Sequence, residues 1–111
     1  MSGQFSTRQV DGSAVVGLRG EIDLQNSPEV RREILACLAD GKDVVVDLAD
    51  VDYIDSSGIA CLVEAFQTAR HQGTRFSLAA VSPAALRVLK LARLDEVFVI
   101  RDQVADAVRG A

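Results

Sequence analysis

Two adjacent serines, Ser56 and Ser57, follow an aspartate at a point where the chain changes from an acidic to an apolar pattern. Asp55 is a preferred helix N-cap, because its carboxylate can accept the free backbone N–H groups of the first turn. A helix start also favours a negative group, including a phosphate carried by a serine hydroxyl. The residue types therefore fit two interpretations. A well-capped helix without a site is the simpler one, and a serine that accepts phosphate is the other.

The apolar residues around the serines set the register of this helix. With Asp55 as N-cap, Ile54 and Ile59 occupy the two positions that form a hydrophobic staple. The pattern predicts a helix over 56–72 that ends at Gly73. Its buried stripe is predicted to contain Ile59, Leu62, Val63 and Phe66. We expect a partner protein to meet the opposite stripe, which consists of Ser57, Cys61, Glu64 and Thr68.

Catalysis at the serines would require a nearby base or a metal ion. The only histidine, His71, lies at the far end of the predicted helix, about 24 Å of helical rise from Asp55. The sequence contains neither a nucleophile elbow nor a phosphate-binding loop. We therefore predict no catalytic residue and no cofactor.

An acidic cluster before the helix raises the question of a divalent metal. The order of its residues does not match a calcium-binding loop, which places oxygen ligands and a glycine at fixed positions. A solvated acidic turn is the simpler interpretation, and we predict no metal site. The cluster consists of Asp47, Asp50, Asp52 and Asp55.

Composition limits the classes of function. The chain has 111 residues and a formal net charge of −4, which argues against nucleic-acid binding by phosphate neutralisation. Its apolar residues form short periodic segments, and its first residues lack a secretory pattern, so we expect no membrane insertion and a cytoplasmic location. Cys37 and Cys61 lack metal-ligand spacing and are expected to be reduced thiols. We expect a single domain over 1–111.

A predicted β-hairpin opens the chain. Two segments rich in β-forming residues, 5–10 and 14–19, flank Asp11-Gly12-Ser13, and Asp-Gly between such segments is a strong hairpin signal. The strands should pair antiparallel. Residues 20–24 are then predicted to leave the second strand.

The first helix is predicted to start at Ser27 as N-cap, with Pro28 at the first helical position, and to stop at Gly41. The valine-rich segment 43–48 follows, and it is typical of a strand buried on both faces of a parallel sheet. Residues 51–54 are predicted to form an acidic loop. One helical stripe of the first helix is apolar, and it contains Val30, Ile34, Cys37 and Leu38.

After the second helix the pattern predicts a strand at 75–80, a helix capped by Ser82, and a short strand at 97–100. Asp102 is predicted to cap a last helix. Strands and helices that alternate after an initial hairpin indicate an α/β fold with a mixed sheet, in which parallel strands follow the antiparallel pair, packed with about four helices.

The motif around the serines resembles the signature of the STAS domain, and specifically that of the anti-sigma factor antagonists. The matching residues are Asp55-Ser56-Ser57-Gly58-Ile59, which follow the Val44–Leu48 strand and the acidic loop. Gly20-Glu21-Ile22-Asp23 and Val81-Ser82-Pro83 match further parts of the family pattern in the same order. The resemblance covers nearly the whole chain and implies a single STAS domain.

The resemblance also implies a bacterial, non-enzymatic regulator of transcription. Unphosphorylated members bind an anti-sigma factor that is also an ATP-dependent serine kinase, and so release a sigma factor. The kinase then phosphorylates the serine directly after the motif aspartate, and a separate phosphatase restores it. That serine is Ser56 here, with Asp23, Asp55 and Gly58 as neighbours of the phosphate site.

Two alternatives stay open at this stage. On an ideal helical wheel Ser57 points further from the apolar stripe than Ser56, so Ser57 is the second choice for phosphorylation. The chain is alternatively a STAS subunit that docks constitutively in another assembly, such as a lipid-transport complex, without a phosphate cycle. A nucleotide-binding or catalytic domain is disfavoured, because the phosphate-binding loop and the catalytic base are missing.

Overall fold

A computed structural model of the chain describes residues 4–110. The described part contains five strands and four helices, in the order expected of an α/β fold. These elements are β1 (Phe5–Val10), β2 (Ser13–Ile22), α1 (Ser27–Ala39), β3 (Val44–Ile54), α2 (Ser56–Gln72), β4 (Phe76–Ala79), α3 (Pro83–Leu91), β5 (Val99–Arg101) and α4 (Val104–Arg109).

The strands form one mixed sheet whose spatial order is the same as their order in the chain, β1-β2-β3-β4-β5. β1 and β2 pair antiparallel, and every later neighbour pairs parallel. The predicted mixed sheet is confirmed. Because β2 and β3 are parallel, their carboxyl ends meet at one edge of the sheet, and α2 starts directly after that edge.

The predicted hairpin is confirmed, and its turn explains the Asp-Gly signal. Asp11 and Gly12 have φ angles of 50° and 85°, so both central residues of the turn are left-handed. That conformation is typical of a type I′ turn, whose twist matches that of the flanking strands.

Apolar side chains cover both faces of the sheet. The larger cluster lies between the sheet and helices α1, α2 and α3, and includes the predicted stripe of α1. A smaller cluster lies on the opposite face, where α4 packs Val108 against Val15, Val45 and Ala79. The central strands are therefore buried on both faces at the point where β4 flanks β3, as the valine-rich segment predicted.

The expected acidic loop at 51–54 is wrong, because β3 continues to Ile54. β4 pairs with β3 only as far as Asp47, so the second half of β3 has β2 as its one partner strand. The exposed aspartates Asp50 and Asp52 face solvent there, while Val51 and Ile54 are buried. β2 extends in parallel to Ile22, beyond the predicted end of that strand at residue 19.

Two predicted helix caps are also wrong. Asn26, not Ser27, is the N-cap of α1, and its side chain instead accepts from Asp23 N and donates to the Glu21 carbonyl. Gln103, not Asp102, precedes α4. In contrast, Ser82 caps α3 as predicted, since its hydroxyl accepts from Ala85 N at 3.2 Å.

The ends of the last two strands differ from the prediction by one or two residues, a common uncertainty at element boundaries. Among residues 4–110, no helix combines the length and apolar character that spanning a bilayer requires.

Candidate functional site

A backbone hydrogen bond connects the end of β2 to the start of α2, where the candidate site lies. Asp55 N donates to the Ile22 carbonyl at 3.1 Å, so the residue before the helix is tied to the last residue of β2. Ile22 and Ile54 are paired neighbours at the ends of their strands, and both side chains are buried. The start of the helix is therefore fixed by the sheet.

Asp55 caps α2 as predicted. Its Oδ1 accepts from Ser57 N at 2.9 Å and from Gly58 N at 3.3 Å, and Ser57 Oγ donates to the same oxygen at 2.6 Å. These bonds favour the ionised carboxylate, so the pKa of Asp55 is lowered, first by the Ser57 hydroxyl and further by backbone N–H groups that include that of Leu24.

The two serines differ in exposure and in bonding. Ser56 is exposed, and within residues 4–110 its hydroxyl has no hydrogen-bond partner. Ser57 is half-buried, and its hydroxyl is bound to the capping carboxylate. The wheel argument that favoured Ser57 therefore gives the wrong order of accessibility, because cap geometry, not helix phase, orients side chains in the first turn.

Gly58 lies where the first turn of α2 packs against the ends of β2 and β3. A Cβ atom built on Gly58 would be 2.7 Å from Ile54 Cγ1 and 2.9 Å from Ile22 Cγ2, well inside van der Waals contact. Absence of a side chain at this position allows the first turn of the helix to rest on the two isoleucines.

Asp23 lies directly after Ile22, in the turn that leads to α1. Its carboxylate accepts from Gln25 N at 3.0 Å, and its carbonyl accepts from the N–H groups of Asn26 and Ser27. Ile22 binds Asp55 through the backbone, and Asp23 is the next residue in the chain. Asp23 therefore lies at the same edge of the sheet as the serines.

The stripe of α2 that we expected to be outermost is partly covered by α1. Cys61 is only 6% exposed, and its Sγ donates to the Ser27 carbonyl at 3.4 Å. Burial raises the pKa of its thiol. The expectation that Cys61 is exposed is therefore wrong, because α1 packs on that side of the helix, which the α2 sequence alone does not reveal.

The other members of the stripe have different surroundings. Glu64 forms a bidentate ion pair with Arg31 of α1, with N–O distances of 2.6 and 2.7 Å. Thr68 is half-buried. Most exposed positions of α2 lie on a neighbouring stripe, which contains Ser56, Ala60, Gln67 and His71.

Two exposed apolar side chains beside the site were missed by the sequence analysis. Leu24 is 73% exposed, although its backbone N–H faces the Asp55 carboxylate, and Tyr53 is 50% exposed two residues before Asp55. Exposed large apolar groups next to a polar site are typical of protein-binding surfaces. Leu24 had a signal in the sequence, since it is an apolar residue among the polar residues Asp23, Gln25 and Asn26.

The acidic residues of β3 are not gathered around one point. Asp47 accepts from Ala49 N at 3.0 Å, and Asp50 and Asp52 are exposed along the strand. In the described part of the chain, no three His, Cys, Asp or Glu side chains are arranged to hold a metal ion.

Comparison with known proteins identifies a family with which most of the chain is similar. Residues 4–107 match the model of the STAS domain family. The anti-sigma-B factor antagonist of Bacillus subtilis (strain 168) is 27% identical over 97 residues, which cover 87% of this chain and 89% of the relative.

Solved structures of similar proteins share the fold. The crystal structure of an anti-sigma factor antagonist from Mycobacterium paratuberculosis is 30% identical, with a TM-score of 0.87 over 96% of this chain and 91% of that chain. The Bacillus cell fate determinant SpoIIAA in its phosphorylated form is 19% identical, with a TM-score of 0.75 over 95% of this chain and 96% of that chain. From its sequence and its fold alike, this chain belongs to the STAS domain family.

Proposed function

We propose that this chain is an anti-sigma factor antagonist, a binding protein and not an enzyme, and that phosphorylation of Ser56 controls its binding. When Ser56 is unphosphorylated, the chain binds an anti-sigma factor that has serine kinase activity, and a sigma factor is released. The same partner phosphorylates Ser56, and a serine phosphatase reverses the modification. The names of the similar proteins support the class of function, and the exposed, unbonded hydroxyl of Ser56 carries the choice of residue.

The surroundings of Ser56 suit a kinase substrate. The hydroxyl is at the first residue of α2, outside the core, and reaching it requires no unfolding of the helix. Asp55 engages Ser57 and leaves Ser56 as the accessible acceptor. A kinase can therefore reach the Ser56 oxygen without breaking a hydrogen bond of the protein.

The same surroundings explain how a phosphate would change binding and leave the fold intact. A phosphate adds about 1.5 to 2 negative charges beside Asp55 and close to the edge that carries Asp23. In water the free N–H groups at the helix start offset part of this repulsion. In a closed interface the added charge must lose its water, and each 1.4 kcal/mol of unfavourable free energy lowers affinity about tenfold.

We propose that the partner contacts an apolar rim formed by Leu24 and Tyr53, together with the α2 residues Ser57, Glu64 and Thr68. Both residues of the rim precede Ser56 in the chain, and both provide exposed apolar area. Cys61 supports the face from beneath, because it is buried against α1. A phosphate on Ser56 would then lie within the contact area.

Phosphate transfer tests the acceptor residue. Purified wild type, Ser56→Ala and Ser57→Ala are incubated with ATP and the anti-sigma kinase isolated from the same cells, and phosphate is located by mass spectrometry. We expect incorporation into wild type and Ser57→Ala and none into Ser56→Ala. Incorporation into Ser56→Ala would contradict the assignment.

Affinity for the same partner tests the switch. We expect Ser56→Asp to bind at least about tenfold more weakly than Ser56→Ala, measured by calorimetry. Gln67→Glu is the matched control, since it adds one negative charge at an exposed position of α2 three turns away. Equal affinities of Ser56→Asp and Ser56→Ala would instead support constitutive docking in another assembly.

A further inference from the structure

A second site, independent of the proposed phosphate switch, lies at the opposite end of α2. A cavity of about 280 Å³ opens between the last turns of α2, the start of β4, the short strand β5 and α4. Arg70 lines this cavity, and it follows Ser56 by about 21 Å of helical rise. The cavity is therefore not part of the proposed phosphate switch.

The walls of the cavity are mostly apolar. Phe66 and Phe76 contribute aromatic rings, and Val99 and Ala107 contribute aliphatic surface from β5 and α4. Both rings also pack against Phe98, at centroid distances of 5.6 and 6.2 Å, so they belong to a fixed cluster. A preformed apolar cavity with few polar groups is typical of a small-molecule site.

One polar side chain in the wall has no hydrogen-bond partner among residues 4–110. Ser77 lines the cavity and is only 7% exposed, and no described residue forms a hydrogen bond with its hydroxyl. Polar groups that are nine-tenths buried normally have a hydrogen-bond partner. The Ser77 hydroxyl is therefore available to a polar atom of a molecule in the cavity.

Among the described residues that line the cavity, the charged side chains are all cationic. They are the guanidinium groups of Arg70, Arg75 and Arg101, in a chain whose net charge is −4. Arg75 is paired with Asp43 at 3.2 Å. Arg70 lies over the Phe66 ring, 5.7 Å from its centroid, and no described carboxylate pairs with it. Arg70 is therefore the arginine of the rim that we expect to attract an anion.

We propose that this cavity binds a small amphipathic carboxylate. Its apolar body lies against Phe66, Phe76 and Val99, its carboxylate pairs with Arg70 at the rim, and Ser77 donates a hydrogen bond. The volume is close to the lower end of ligand pockets, roughly 300 Å³, which selects a medium-chain acid over a long lipid.

Titration of the ¹⁵N-labelled protein with sodium octanoate, followed by NMR, tests this proposal. We expect saturable shifts of the amides of Ser77, Val99 and Ala107. 1-Octanol, which has the same chain without the charge, should bind at least about fivefold more weakly, the scale of one charge-assisted hydrogen bond. Equal binding of the two probes, or shifts that do not saturate, would overturn the proposal.

Three variants and a control locate the site. Arg70→Gln should weaken octanoate binding at least about fivefold, and Ala107→Leu should weaken it by filling the cavity. Ser77→Ala should weaken binding without lowering the melting temperature, because no hydrogen bond within the protein is lost. Arg87→Gln, at an exposed arginine of α3 outside the cavity, should leave binding unchanged. If Arg87→Gln weakens binding as much as Arg70→Gln, the effect is one of net charge and the site is refuted.

Discussion

The Ser57 hydroxyl donates a 2.6 Å hydrogen bond to Asp55 Oδ1, and this bond distinguishes Ser57 from its neighbour Ser56. Ser57 completes the cap of α2. Ser56, one residue earlier, remains exposed with no partner among residues 4–110. A kinase that modified Ser57 would first have to break the cap.

Alanine substitutions should show that the Ser57 hydroxyl stabilises the fold and that the Ser56 hydroxyl does not. Ser57→Ala removes a hydrogen bond to a carboxylate and should lower the free energy of unfolding by about 1 kcal/mol. Ser56→Ala removes no bond within the protein and should be neutral within about 0.5 kcal/mol. Urea denaturation of the two variants provides the comparison. A larger loss in Ser56→Ala than in Ser57→Ala would contradict the bonding described here.

Stability should depend on the ionisation of Asp55. Its pKa in the folded chain lies below the ordinary value of 3.8, chiefly because of the Ser57 hydroxyl, so the unfolded chain binds the proton first. The stabilisation is therefore complete above the unfolded pKa and is lost as pH falls through the folded pKa. We expect the stability difference between wild type and Asp55→Asn to be constant from about pH 7 to 5 and to shrink below about pH 4.

Denaturant unfolding of both proteins across this pH range measures the difference. Asp52→Asn is the control for net charge, since the Asp52 side chain is exposed and makes no hydrogen bond among the described residues. A difference that grows on acidification would show that the cap does not favour the ionised carboxylate.

Gly58→Ala should destabilise the fold, although alanine is the better helix former. The new methyl group would meet Ile54 and Ile22 at distances below 3.0 Å, which forces α2 away from the strand ends. Overpacking of this kind costs about 1–3 kcal/mol, more than the roughly 1 kcal/mol that helix propensity returns. Thermal unfolding measures the loss, and Ala60→Gly serves as the reference for helix propensity at an exposed position of α2.

Binding to the anti-sigma factor should depend on Leu24 and Tyr53. Truncating either to alanine removes exposed apolar area beside Ser56 and should weaken binding by about 1–2 kcal/mol, or roughly five- to thirtyfold, without loss of stability. Leu91→Ala is the matched control, because Leu91 is equally apolar and exposed but ends α3. Calorimetric titration compares the three variants, and an equal loss in Leu91→Ala would argue against a localised rim.

The sequence was most informative where local chemistry decides the structure. Asp55 as a cap, Asp11-Gly12 as a turn and Gly73 as a helix end depend on backbone groups within a few residues, and all three are confirmed. The sequence was least informative where packing or pairing with an element distant in the chain decides the structure. The α2 sequence predicts an exposed Cys61 because it does not show that α1 packs on that side, and 51–54 is predicted to be a loop because its partner strand, β2, is remote in the chain.

Ser56 is held near the sheet through Asp55, whose N–H donates to the Ile22 carbonyl and whose carboxylate faces the Leu24 N–H. The segment after β2 makes both contacts with main-chain groups. Side chains at exposed positions of that segment, such as Leu24 and Gln25, do not form these bonds. Substitution of those side chains would therefore change the surface that a partner meets and leave the Ser56 hydroxyl in its position.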